Sequence, residues 1–121
     1  MRIDRILIVD DDNALRRMLV DYLTTEGYTA LGTRSIQQAT EALRNDFFDL
    51  VISDLRLEDG SGLELLKQLK QLSPRSYGIL MTGYATMESA VEAIRIGLFD
   101  YLIKPILPAQ LDLVLQRLRC V

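Results

Sequence analysis

"RILIVDDDNALRRMLVDYLTTEG" (residues 5–27) contains one complete structural unit and sets the reading of the rest of the chain. Its first five residues are an almost unbroken apolar run, the pattern of a strand buried on both faces. Three aspartates, Asp10, Asp11 and Asp12, end that run. From Asn13 the spacing changes. Leu15, Met18, Leu19, Tyr22 and Leu23 recur at helical intervals and predict an amphipathic helix over 13–26 that buries this face. Gly27 supplies the stop. The order is strand, polar turn, helix.

The same unit recurs four more times. "YTALGT" (28–33) is a weaker strand, and Ser35 can cap a helix that buries Ile36, Ala39 and Leu43. "DLVIS" (49–53) is strongly apolar; the turn "EDGSG" (58–62) then leads into a helix with Leu63, Leu66 and Leu69 inward. Ser73-Pro74 ends that helix, because a residue before proline avoids the helical region. "YGILM" (77–81) is followed by a helix after Thr86, predicted to bury Met87, Ala90, Val91 and Ile94 and to close at Gly97. "FDYLI" (99–103) is the last strand, and Pro108 opens a helix through Leu111, Val114, Leu115 and Leu118. Five β-α units in succession predict an α/β fold: a five-stranded parallel sheet with helices on both faces and right-handed crossovers. We see no linker and no second domain, so residues 1–121 form one domain. The chain stops as its fifth helix ends, which suggests a piece of something longer.

Composition narrows the chemistry. Of 121 residues, 49% are hydrophobic and 26% charged, with 14 Lys plus Arg against 17 Asp plus Glu and a net charge of −3. No basic block stands out, so direct contact with nucleic acid is not expected. The longest apolar runs are strand-length, short of a membrane span, and the N-terminus lacks a signal-peptide pattern, so a cytoplasmic location is expected. The chain has one cysteine, Cys120, and no histidine. Internal disulfides, Cys-based metal clusters, His-ligated zinc and His-dependent nucleophilic catalysis are therefore excluded. The polar chemistry must come from carboxylates, hydroxyls, Lys and Arg.

In an open parallel sheet, ligands bind beyond the carboxyl ends of the strands. After the strong strands come, in turn, Asp10-Asp11-Asp12, Asp54, Thr82-Gly83 and Lys104-Pro105. Connectivity alone brings all of them to one edge. Each has a plain explanation by itself: aspartates cap helices, Thr-Gly makes turns, and a lone lysine usually faces solvent. Those explanations do not account for the shared edge. Together the residues suit phosphoryl transfer. Carboxylate oxygens favour Mg²⁺, a carboxylate beside that cation can attack phosphorus, and Lys104 and Thr82 can meet the phosphoryl oxygens.

"ILIVDDD", "LVISDLRLEDGSGLELL", "ILMTGYAT" and "FDYLIKPI", in this order, resemble the receiver domain of two-component response regulators across essentially the whole chain. The resemblance implies the flavodoxin-like strand order 2-1-3-4-5. It implies Asp54 as phosphoacceptor, Asp11 as direct Mg²⁺ ligand, Asp10 as a partner acting mainly through a coordinated water, and the Arg56 carbonyl as a further ligand. Lys104 would salt-bridge the phosphoryl group, with a cis bond to Pro105; Thr82 would be the switch hydroxyl and Tyr101 the switch aromatic. A sensor histidine kinase would donate. The changed surface of the fourth helix, fifth strand and fifth helix would control an output domain or partner, or form a homodimer. "GYATMESAVEAIRIG" (83–97) is similar to receivers attached to σ54-type activators or to small helix-turn-helix regulators. Arg56 and Tyr84 occupy the variable positions where the family tunes phosphoryl lifetime. Asp12 reads mainly as the cap of the first helix, with a role in tuning Mg²⁺ affinity left open. Leu98 departs from the family's usual small residue and is expected to crowd the turn before the last strand.

Two alternatives stay open at this point. "VDDDNA" (9–14) has the D-x-D pattern of haloacid dehalogenase-type phosphatases, with Asp10 as nucleophile. Against it, Ala14 stands where Thr or Val is expected, and Asp54 is left without a role. The other is a pseudo-receiver that keeps the fold without phosphorylation.

Overall fold

The structure is a computed structural model and describes residues 2–121. Strands β1 (Arg5–Val9), β2 (Thr29–Thr33), β3 (Leu50–Asp54), β4 (Tyr77–Thr82) and β5 (Asp100–Ile103) form one parallel sheet in the order 2-1-3-4-5. Helices α1 (Asn13–Thr25), α2 (Ile36–Asn45), α3 (Gly62–Leu72), α4 (Met87–Arg95) and α5 (Pro108–Arg119) follow the strands in turn. Strand periodicity divides the core in two. Ile6 and Ile8 pack with Leu19 and Leu23 of α1 and with Leu111, Val114, Leu115 and Leu118 of α5. Leu7 and Val9 pack on the other face with Ala39 and Leu43 of α2 and Leu65, Leu66 and Leu69 of α3. These four β1 side chains are fully buried, each worth roughly 1.5–3 kcal/mol, which is why the strand reads as a continuous apolar run.

The helix ends follow the expected chemistry. The Asp12 carboxylate accepts the N–H groups of Ala14 and Leu15 at 3.0 and 3.2 Å, and Ser35 Oγ accepts from Gln38 at 3.1 Å. Gly27 and Gly97 stop α1 and α4 in the left-handed region, at φ 99° and 78°. The Lys104–Pro105 bond is cis.

Several expectations need correction. Asp54 and Thr82 are the last residues of β3 and β4, not the first after them. The parallel ladder runs one residue further than the apolar pattern, pairing Asp54 with Met81 and Thr82 with Ile103. The turn at 58–62 is part of a small antiparallel hairpin, Arg56–Leu57 against Gly60–Ser61, too short to leave a periodic signal. In α1, Met18 is exposed while Leu19 and Leu23 are buried; in α3, Leu65 is buried and Leu63 only half so. The largest difference is in α4. Met87 and Ile94 are 84% and 79% exposed and Val91 is also exposed, whereas Ser89 and Ala93 are buried and Ala90 is half-buried. Periodicity identifies a stripe but not which stripe meets the core, and here the small residues approach the sheet. Leu98 lies over Gly78, where a Cβ would sit 3.0 Å from Leu98 Cδ2 and 3.2 Å from Leu66 Cδ2. The missing side chain at Gly78 gives Leu98 its room.

Candidate functional site

The register lines up the carboxyl ends of the central strands, pairing Val9 with Ser53, Asp54 with Met81 and Thr82 with Ile103. The residues at and just after those ends therefore meet. Asp10 is fully buried, and both its carboxylate oxygens are engaged: Oδ1 accepts the Asp12 N–H at 2.9 Å, and Oδ2 accepts from Lys104 Nζ at 3.0 Å. The Arg16 guanidinium donates to the Asp10 carbonyl at 2.8 Å. Lys104 Nζ also lies 3.3 Å from Asp54 Oδ2, so one ammonium serves two carboxylates. Asp11 reaches solvent and makes no side-chain hydrogen bond or ion pair among the described residues.

Carboxylate oxygens of Asp10, Asp11 and Asp54 lie within 4.8 Å of one another. Three negative charges face one ammonium, and that deficit favours a further cation. All the donors are hard oxygens, and Cys120, the only thiol, is exposed at the far end of α5. Such a set fits Mg²⁺ or Ca²⁺ better than a softer metal. Burial pushes the Asp54 carboxyl up from its ordinary range, and the Asp10 charge pushes it further, while Lys104 pulls it down. Burial alone would lower the Lys104 ammonium, but its hydrogen bond and charge interactions with Asp10 and Asp54 outweigh that and raise it. The lysine stays charged.

Asp54 and Lys104 also border a cavity of about 260 Å³, whose other walls are Arg56, Thr82, Gly83 and Tyr84. Asp54 thus stands between the acidic cluster and an open space. Thr82 is buried at 2% exposure; its Oγ1 accepts the Tyr84 N–H at 2.9 Å and has its own proton left to donate. The Arg56 guanidinium stacks over the Tyr84 ring, 4.4 Å from its centre, at the mouth of this cavity. Tyr101 is neither core nor free. It is half-buried, with its hydroxyl 2.7 Å from Ser89 Oγ in the first turn of α4.

The structure brings together Asp10, Asp11, Asp54, Thr82 and Lys104, and sets Arg56 beside them on the hairpin. Tyr101 lies apart, against α4. The Asp12 carboxylate caps α1 and is not one of the three grouped carboxylates. Three contributors left no sequence signal: Arg16 and Ser89 look like ordinary helix residues, and Gly62 looks like part of a turn. A Cβ on Gly62 would overlap the Asp54 carbonyl oxygen, and the Gly62 N–H donates to the Leu55 carbonyl at 2.8 Å. Glycine there lets α3 start against the backbone that carries Asp54.

Residues 6–116 match the family model of the response regulator receiver domain. The regulatory protein AtoC of Escherichia coli K12 is 39% identical over 115 residues, a match covering 95% of this chain and 25% of that protein. The chain thus spans about a quarter of the length of that curated relative. Among solved structures, a CheY-like response regulator receiver domain protein from Methanospirillum hungatei JF-1 superposes with a TM-score of 0.91 at 34% identity, covering 96% of this chain and 93% of that one. A response regulator from Burkholderia pseudomallei, crystallised with a phosphorylated aspartic acid, a calcium ion and citrate, gives a TM-score of 0.87 at 26% identity, covering 97% of this chain and 71% of that one. With an acidic edge of this geometry, and with the match running nearly end to end, the chain belongs to the response regulator receiver domain family.

Proposed function

We propose that Asp54 is the phosphoacceptor of this receiver domain and that the acidic cluster holds Mg²⁺ for the transfer. The observation that carries this reading is the position of Asp54, which shares Lys104 with Asp10 on one side and borders the 260 Å³ cavity on the other. The states of the three aspartates support distinct roles. Asp11, with no side-chain partner among the described residues, suits direct coordination; Asp10, with both oxygens occupied, suits a supporting role; the Arg56 carbonyl completes the protein ligands. Bound Mg²⁺ would supply positive charge to the phosphoryl oxygens. An oxygen of Asp54 bonds to phosphorus as the phosphorus–nitrogen bond of a phosphohistidine donor breaks. The product is an acyl phosphate; the donor nitrogen leaves with the bonding electron pair, and the histidine ends as neutral imidazole because its other ring nitrogen carries a proton taken from solvent. Lys104 stays charged beside the new group, and Thr82 turns its hydroxyl proton to a phosphoryl oxygen.

The partner in this reading is a sensor histidine kinase, with the exchange taking place in the cytoplasm; among the described residues no helix is long and apolar enough to cross a membrane. Thr82 and Tyr101 would carry the change to α4, β5 and α5, where Met87, Ile94, Ile103, Leu107 and Leu113 already expose apolar surface for an output domain or a second copy. An output domain of the σ54-activator or DNA-binding type would lie outside these residues. A phosphatase with Asp10 as nucleophile finds no support, since that carboxylate is fully buried and doubly bonded.

Incubation with Mg²⁺ and a small acyl-phosphate donor should add the mass of one phosphoryl group, and Asp54→Asn should abolish the addition. Persistent labelling of that variant would refute the assignment, and an unlabelled wild-type protein would favour the pseudo-receiver.

A further inference from the structure

The Arg56 carbonyl lies on an exposed hairpin, and a main-chain ligand can hold a cation only if its loop is held. The two-residue strands of that hairpin are too short to do so alone. Its base is tied by the Gly62 N–H to the Leu55 carbonyl at 2.8 Å, and its tip is anchored by the start of α2. Asp59, at the hairpin tip, accepts the Ile36 N–H on Oδ1 at 2.9 Å and the Gln37 N–H on Oδ2 at 3.0 Å. Both donors belong to the first turn of α2, where N–H groups have no partner within the helix. Those two bonds hold the Asp59 carboxyl below its usual range, so it is charged at neutral pH. Next to it, Glu58 pairs with Arg34 at 3.3 Å, and the Ile36 Cδ1 atom closes over Gly60, 2.9 Å from where a Cβ would sit. Ser35 bonds only the Gln38 N–H, so the Asp59 carboxylate supplies the partners that the two preceding N–H groups of α2 would otherwise lack. Asp59 is thus a second, long-range cap whose effect runs from the helix to the hairpin.

We propose that Asp59 is a positioning residue for the metal site: by clamping the hairpin onto the α2 N-terminus it sets the place of the Arg56 carbonyl. This rests on the reading of Arg56 as a Mg²⁺ ligand. Asp59 touches neither metal nor phosphoryl group. Its loss frees the loop, so that ordering the carbonyl becomes part of the cost of binding.

The test compares Asp59→Ala with Ser35→Ala, which weakens the same helix end without touching the hairpin. Mg²⁺ affinity is read by calorimetric titration of the unphosphorylated domain, thermal midpoint by circular dichroism, and the phosphorylation rate as a function of Mg²⁺ concentration. Both variants should lose thermal stability. Asp59→Ala alone should weaken Mg²⁺ binding, about three- to tenfold, and should recover the wild-type phosphorylation rate at saturating Mg²⁺. Asp59→Asn, which keeps one acceptor oxygen, should fall between. Equal Mg²⁺ affinity in Asp59→Ala and wild type would overturn the proposal, as would an equal weakening in Ser35→Ala. A wild-type domain that binds no Mg²⁺ would instead remove the reading on which it rests.

Discussion

Replacing Asp54 with Asn should stabilise the metal-free domain, because its carboxylate is held where folding disfavours it. Coulomb's law at an effective dielectric constant near 20 sets the scale. Lys104, 3.3 Å away, attracts the Asp54 carboxylate by about 5 kcal/mol. Asp10, fully buried and with an oxygen within 4.8 Å, repels it by at least about 3 kcal/mol. Asp11 faces water and adds only about 1 kcal/mol of repulsion. Attraction and repulsion nearly cancel, so the desolvation of a residue only 8% exposed decides the sign. Asn keeps the volume, and Lys104 keeps its 3.0 Å bond to Asp10, so no charge is orphaned. The expected gain is about 1–2 kcal/mol at pH 7 in the presence of a chelator, a rise of about 3–10 °C in thermal midpoint for a domain of this size.

Two further dependences separate this cause from a generic one. Burial and Asp10 raise the folded-state pKa of Asp54, so the native state holds that proton more tightly than the unfolded chain does. The penalty is absent below the unfolded carboxylate value of about 4 and grows as pH rises through the folded one, so the gap between the proteins should close in acid. Mg²⁺ should then close or invert it at neutral pH, since a ligand at about ten to a hundred times its dissociation constant adds about 1.4–2.7 kcal/mol to the protein that binds it. The assay is thermal or urea unfolding followed by circular dichroism, with chelator and then with Mg²⁺. A folded Asp54→Asn variant no more stable than wild type in chelator at pH 7 would refute this balance of charges.

Gly62→Ala should cost about 3 kcal/mol or more, beyond ordinary overpacking, because the new methyl meets the Asp54 backbone and not a flexible side chain. Urea unfolding should show the lower midpoint, and phosphorylation should slow as Asp54 shifts; an unchanged midpoint would contradict the close approach. Tyr22 donates to Asp112 at 2.6 Å, and that bond pushes its phenol up to about 12. Ultraviolet titration should therefore show a tyrosine component ionising near pH 12 that Tyr22→Phe removes. Its stabilising effect is fully present below the unfolded value of about 10 and is lost as pH rises through about 12.

Most of the fold was legible in the sequence. Five apolar runs of strand length, each followed by a helical period, specify a parallel sheet covered on both faces, and their carboxyl ends nominate Asp10, Asp11, Asp54, Thr82 and Lys104 as neighbours. Residue order was enough for this because β-α connectivity delivers every such end to one edge whatever the side-chain detail. Local chemistry was legible for the same reason: the Asp12 and Ser35 caps and the Gly27 stop depend on bonds spanning a few residues. Tertiary structure decided what depends on distance across the chain. It turned α4 so that Ser89 and Ala93 face inward and Met87 and Ile94 outward, because both stripes have helical spacing and only the neighbouring surface selects between them. It let one ammonium span Asp10 and Asp54, 44 residues apart in the chain, while Asp11 makes no ion pair among the described residues. And it tied Asp59 to α2 across 22 and 23 residues, a pairing that no local pattern encodes because neither end is unusual until the fold brings them together.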